Sequence, residues 1–138
     1  MHHWTNTDIN HKFSMKDQQG YTLIEMMIVI SIISILATMA LPSFQKSLVR
    51  AKETNLRRSL FIMRDTIDQY FADHGRYPGS LQDLETEKYI RQIPMDPFTG
   101  SPESWVTIPP EGFAEGNIYD VHSGSNKISL DGTPYNDW

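Results

Sequence analysis

The sequence predicts an α+β chain in which one long N-terminal helix packs on a small antiparallel β-sheet. Three observations lead to this class. No charged residue occurs from Met26 through Gln45. Apolar residues then recur at three- and four-residue steps from Phe44 to Tyr70. Beyond Gly75, prolines and glycines divide the chain into pieces long enough only for brief helices and strands.

The charge-free run is the first element. As a helix rising about 1.5 Å per residue it measures roughly 30 Å, one hydrocarbon thickness. It is too long for the apolar core of a secretory signal, and no small-residue cleavage site follows it. One acid, Glu25, stands at its head. A carboxyl group there is costly in lipid, about 2.5–3.5 kcal/mol at mid-membrane and less near an edge, so its presence asks for a partner. Pro42 lies near the end of the run, where it removes one backbone hydrogen bond and either kinks the helix or ends it.

Past Pro42 the pattern turns amphipathic. Phe44, Leu48, Ala51, Leu56, Leu60, Met63, Ile67 and Tyr70 mark one face, while Arg50, Glu53, Arg57, Arg64 and Asp68 fall on the others. Asp73-His74-Gly75 supplies the stop, and Arg76-Tyr77-Pro78 cannot easily continue a helix. Ser80 is placed to cap a short helix over Leu81–Tyr89, with Asp83 at its third position. Four later prolines, Pro94, Pro97, Pro109 and Pro110, exclude further long helices. Short strands are expected at Ser104–Ile108, Asn117–His122 and Lys127–Leu130.

The chain has 138 residues, enough for one domain, and no cysteine to staple it. Its net charge of −5 gives no reason to expect nucleic-acid binding. The charge is unevenly spread. Lys46 to Arg76 carries seven bases against four acids, a net of +3, and the chain from Tyr77 onward carries three bases against ten acids, a net of −7. Either both are solvated faces, or a basic stalk attracts the acidic head of another copy. No nucleophile motif, metalloprotease motif or phosphate loop occurs, so no enzyme is expected.

Gly20-Tyr-Thr-Leu-Ile-Glu25 followed by an apolar helix resembles the cleavage and assembly signal of type IV pilin-like proteins. Leu41-Pro42 matches a proline position common in their helices. Gly75-Arg-Tyr-Pro, Ile93-Pro-Met-Asp-Pro-Phe98 and the acidic, glycine-punctuated tail ending at Trp138 extend the likeness to the major (G-type) pseudopilin of type II secretion systems. The resemblance covers essentially the whole chain from Gly20. It implies a leader over residues 1–20, cut between Gly20 and Tyr21 by a prepilin peptidase that also methylates Tyr21. A transmembrane assembly helix would occupy 21–42, and a periplasmic pilin-like domain 43–138. Glu25 would pair with the terminal amine of a neighbouring subunit in a helical homo-oligomer, and Pro42 would mark a bend or melting point in the filament. Minor pseudopilins and an inner-membrane secretion platform would be the other partners. The protein would sit in the inner membrane as a single-pass protein with its C-terminal domain in the periplasm.

The resemblance further implies a calcium loop in the tail, with Ser123, Asn126 and Asp131 as candidate ligands and Asp137 alongside them. The residue types suit a hard cation, but the same Asn/Asp/Gly-rich stretch also reads as turns bonded to their own backbone. Met15 is the expected true start, leaving the short leader common in the family. One observation points elsewhere. Only Lys12 and Lys16 precede the apolar run, whereas Lys46, Arg50, Lys52, Arg57 and Arg58 follow it. By the positive-inside rule alone this puts the C-terminal domain in the cytoplasm, which favours an uncleaved, membrane-anchored binding domain. A type IV pilin of a surface pilus is the nearer alternative.

Overall fold

The computed structural model describes residues 20–138; the expected leader and the Met15 start lie outside the described residues, apart from Gly20. The chain divides into two compact units, one ending at Ala40 and the other running from Leu41 to Trp138. Helix α1, Leu23–His74, supplies residues to both and contains Pro42 within its span. Residues 20–22 precede it without regular secondary structure.

In the first unit every described residue is exposed. The segment is long and apolar enough to cross a membrane. Its hydroxyls are satisfied inside the helix: Ser31 Oγ donates to Met27 O at 2.7 Å, Ser34 Oγ to Ile30 O at 2.8 Å, and Thr38 Oγ1 to Ile35 O at 2.6 Å. A spanning segment must satisfy its polar groups in this internal way, because lipid offers no hydrogen bonds.

In the second unit α1 buries one stripe, Leu56, Leu60, Met63, Ile67 and Tyr70. The alternating four- and three-residue steps keep it on one face. Gly75 takes φ +69 and donates its N–H to Phe71 O at 2.8 Å, the left-handed stop expected at that glycine. Helix α2, Leu81–Thr86, adds Leu84 and Leu81 to the core. Asp83 Oδ2 accepts from Ser80 N at 3.1 Å and from Gly79 N at 3.0 Å, which fixes its start. The helix stops short of the expected Tyr89. Lys88 adopts φ 62, and the amides of Tyr89 and Ile90 turn back to Leu84 O at 3.0 and 3.2 Å.

Strands β1, Val106–Ile108, and β2, Asp120–His122, pair antiparallel with Val106 opposite His122 and Ile108 opposite Asp120. Both are shorter than the expected segments. The amides of Asn117 and Ile118 go to Pro78 O at 3.1 and 3.2 Å and are lost to the ladder. The third expected strand, Lys127–Leu130, is not a strand. It makes a single bridge, Ile128 with Pro134. Its donors go elsewhere: Lys127 N to Ser125 Oγ at 3.3 Å, and Leu130 N to Glu53 Oε1 at 2.9 Å. Short polar side chains here outcompete the ladder. A 3-10 turn, Tyr135–Asp137, then brings Tyr135 into the core, its ring stacked on Phe98 with centroids 3.8 Å apart. The α+β class holds, with two strands in the sheet.

Candidate assembly site and tail

The start of α1 is built by Thr22. Its Oγ1 accepts from Glu25 N at 3.2 Å, and its carbonyl accepts from Met26 N at 3.2 Å. Thr22 is therefore the N-cap and Glu25 the third helical residue, where an acid is favoured by the exposed N–H groups of the first turn. Helix formation alone thus gives Glu25 some reason to exist. It does not give Gly20 one. Gly20 is exposed, holds no left-handed φ, and a Cβ built on it meets nothing within 4 Å. Any residue would fit there, so the fold does not demand this glycine. Tyr21 is also exposed. Among the described residues Glu25 forms no salt bridge. The helix start thus presents a freely accessible Gly20–Tyr21 bond and, one turn on, an unpaired acid.

The tail is arranged around two buried acids, Glu53, which the sequence pattern placed on an outer face of α1 and the structure turns inward, and Asp96. Glu53, on α1 just above the apolar stripe, is only 7% exposed. Its Oε1 accepts from Leu130 N at 2.9 Å and from Tyr135 OH at 2.8 Å, which ties the tail to the helix. Burial and the Glu53 contact push the Tyr135 phenol up to about 12. Asp96 is fully buried and accepts from Ser123 Oγ at 2.6 Å, Phe98 N at 2.9 Å and Gly124 N at 3.3 Å. Glu53 was legible in principle: it extends the buried stripe by three residues in register with Leu56 and Leu60. Asp96 carried only the local signal of an Asp whose carboxyl can bond the amide two residues on.

Of the four candidate calcium ligands, Ser123 is buried with its hydroxyl on Asp96 and its oxygen accepting from Ser125 N at 3.2 Å. Asn126 is exposed. Asp131 closes its own turn: Oδ1 accepts from Ser129 Oγ, from Thr133 Oγ1 at 2.7 Å and from Thr133 N at 3.1 Å. These bonds hold its carboxyl down at about 2. Asp137 faces a different cleft, shared with Arg64, Asp120 and His122. Among the described residues no three His, Cys, Asp or Glu side chains come together as a metal-holding group. As placed, Ser123 and Asp131 engage their side-chain oxygens in a buried contact and in a turn, which leaves Asn126 and Asp137 as the candidates with oxygens not so engaged.

A family model for the prokaryotic N-terminal methylation motif matches residues 15–41. The type II secretion system core protein G of Klebsiella michiganensis is 29% identical over 101 residues, spanning 62% of this chain and 71% of that protein. The competence protein ComGC of Halalkalibacterium halodurans is 40% identical over 73 residues, spanning 53% of this chain and 72% of the relative. The chain belongs to the type IV pilin-like family, as a G-type pseudopilin. A fimbrial protein of Neisseria meningitidis serogroup B is also 40% identical, but over 63 residues and only 37% of its own length. The core protein G likeness reaches across a larger share of its relative, which is why the pseudopilin class is preferred to the surface pilin. No solved structure matches the chain. The single apolar helix fits a membrane-anchored, single-pass member of the family.

Proposed function

We propose that this pseudopilin is cut between Gly20 and Tyr21 by a prepilin peptidase, methylated on Tyr21, and polymerised into a periplasmic pseudopilus that drives type II protein secretion. The role is structural, not enzymatic. The observation that carries the reading is the junction itself: a glycine the fold does not need, an exposed bond, and an acid without a salt bridge among the described residues, on the first turn of a helix whose apolar N-terminal part is fully exposed. In the filament Tyr21–Leu41 pack at the centre and the acidic heads face outward. Moving the helix from lipid into that bundle costs little, because both surroundings are apolar, and Glu25 gains the N-terminal amine of a neighbour. Minor pseudopilins and an inner-membrane platform are the remaining partners, and the second unit lies in the periplasm. The family's cytoplasmic-side peptidase overrides the charge count that points the other way.

The deciding experiment is mass spectrometry of the membrane-extracted protein with and without the prepilin peptidase. A peptidase-dependent start at Tyr21, one methyl heavier, is expected. An intact Gly20–Tyr21 bond with peptidase present would remove the filament reading and leave an anchored binding domain.

A further inference from the structure

Two features of the second unit are used by nothing else in it. The first is Phe113, at the tip of the loop joining β1 to β2, which is completely exposed. An exposed phenylalanine on a floppy loop would mean little, but this loop is built. Tyr77 N donates to Glu115 O at 2.8 Å and Tyr119 N to Ile108 O at 2.7 Å. Gly116, at φ +111, passes so close under Tyr77 that an added Cβ would lie 2.2 Å from its carbonyl oxygen. Pro109 and Pro110 stiffen the other limb. Phe113 is thus held out between Glu111 and Glu115, neither of which forms a salt bridge among the described residues.

The second feature is an open groove on α1, about 470 Å³ in volume, floored by Leu60 and Phe61 and walled by Trp138. Phe61 is 71% exposed, high for a phenylalanine in a folded unit. One turn before it on the helix surface stand Arg57 and Arg58, at the three- and four-residue steps that make neighbours. Neither arginine has a carboxylate within salt-bridge distance among the described residues, and Arg57 Cζ lies over the Trp138 ring, 4.4 Å from its centroid. The opposite end carries Asp65 and Asp68 beside Arg64, whose charge is paired with Asp120, so the groove is polarised, cationic toward the N-terminal side of α1. Glu53, the one acid between Leu41 and Arg64, is buried against Tyr135, which leaves this stretch of α1 without an exposed acid of its own; the exposed Asp131 of the tail, near Arg57, is already engaged by Ser129 and Thr133.

We propose that the Glu111–Glu115 loop of one copy docks in this groove of a second copy, Phe113 against Phe61 and Trp138, with its acids directed to Arg57 and Arg58. The occupant follows from complementarity: an acid-flanked aromatic knob and an aromatic groove with arginines at its N-terminal end exist on the same chain, unlike in shape and opposite in charge where Glu111 and Glu115 would meet Arg57 and Arg58. Such a contact is heterologous. Repeated head to tail it generates an open assembly rather than a closed dimer. The inference rests on the filament reading and adds to it a contact outside the apolar helix core.

The absence of cysteine from the chain makes the test direct. Two full-length single-cysteine variants, Phe61→Cys carrying a tag and Phe113→Cys without one, are produced together with prepilin peptidase and oxidised mildly. A disulfide between them must be intermolecular. It is expected to form several times more readily than one between Phe113→Cys and Asn55→Cys, an exposed position about 120° around α1 from Phe61. Filament yield is measured by sedimentation in the same samples. Filaments without the preferred disulfide would overturn the docking contact and leave the filament reading standing; no filament with any variant, including the cysteine-free chain, would overturn both. Independently, Glu111→Lys with Glu115→Lys is expected to lower filament yield and Arg58→Glu, which spares the Arg57–Trp138 stack, to restore part of it. Unchanged yield in the double lysine variant would also sink the contact.

Discussion

Tyr135 and Glu53 show how one hydroxyl can hold a domain's last turn in place. The phenol donates to Glu53 Oε1 at 2.8 Å in a buried setting. Tyr135→Phe keeps the ring on Phe98 and removes only that donor, leaving Glu53 with one partner. A loss of about 1–3 kcal/mol is expected in denaturant unfolding. The same variant reports on pH. The phenol sits at about 12 folded against an ordinary 10, so its contribution is whole below pH 10 and declines as pH rises toward 12. Tyr135→Phe should flatten that alkaline decline. Asp131 works in the other direction. Its folded value of about 2 lies below the ordinary 3.8, so its contribution is whole above about pH 4 and is lost as pH falls toward 2. Asp131→Asn should flatten the acid limb of a melting-temperature profile. Because Ser123 and Asp131 already direct their oxygens to Asp96, Ser129 and Thr133, calcium is expected to leave the melting temperature unchanged. A rise would mean that the tail rearranges to bind it.

At the scale of elements, the outcome depends on what each signal was made of. The long helix, its stop at Gly75 and the capped start of α2 all rest on short-range chemistry: apolar periodicity, a left-handed glycine, and an acid reaching back to Ser80. These were legible in the sequence. The ends of α2 and of the strands were not. Lys88 gives no warning that it adopts φ 62, and the pairing of Asn117 and Ile118 with Pro78 depends on a segment some forty residues away. The third strand failed because its donors are taken by side chains, Lys127 N by Ser125 and Leu130 N by the distant Glu53. The candidate site divided along the same line. Gly20, Tyr21 and Glu25 lie together at the helix start as their spacing requires, while the engagement of Ser123 with Asp96 depends on a residue 27 positions away that the sequence did not mark. Lys88→Gly offers a check on the α2 stop. Relieving a left-handed lysine should raise stability by about 0.5–1 kcal/mol, measured by chemical denaturation.

For the whole molecule, the two units face different tasks. Among its described residues the first has none that is buried, and Ser31, Ser34 and Thr38 donate their hydroxyls within the helix, so its stability is set by whatever surrounds it. The second carries its own core and an uneven surface charge. Glu25→Leu separates the two tasks. Membrane insertion should persist or improve, since an acid is removed from an apolar segment, while filament yield should fall sharply; unchanged yield would refute the pairing of Glu25 with a neighbour's amine.

The tie between Glu53 and the tail spans 77 residues to Leu130 and 82 to Tyr135. Contacts so distant along the chain close late, after nearer ones have formed, because loop entropy must be met before they reward it. As the polypeptide emerges, α1 therefore carries an acid in its core-facing register with nothing opposite it until Leu130 and Tyr135 have been made, and a chain cut short before Leu130 would retain that acid without its partners.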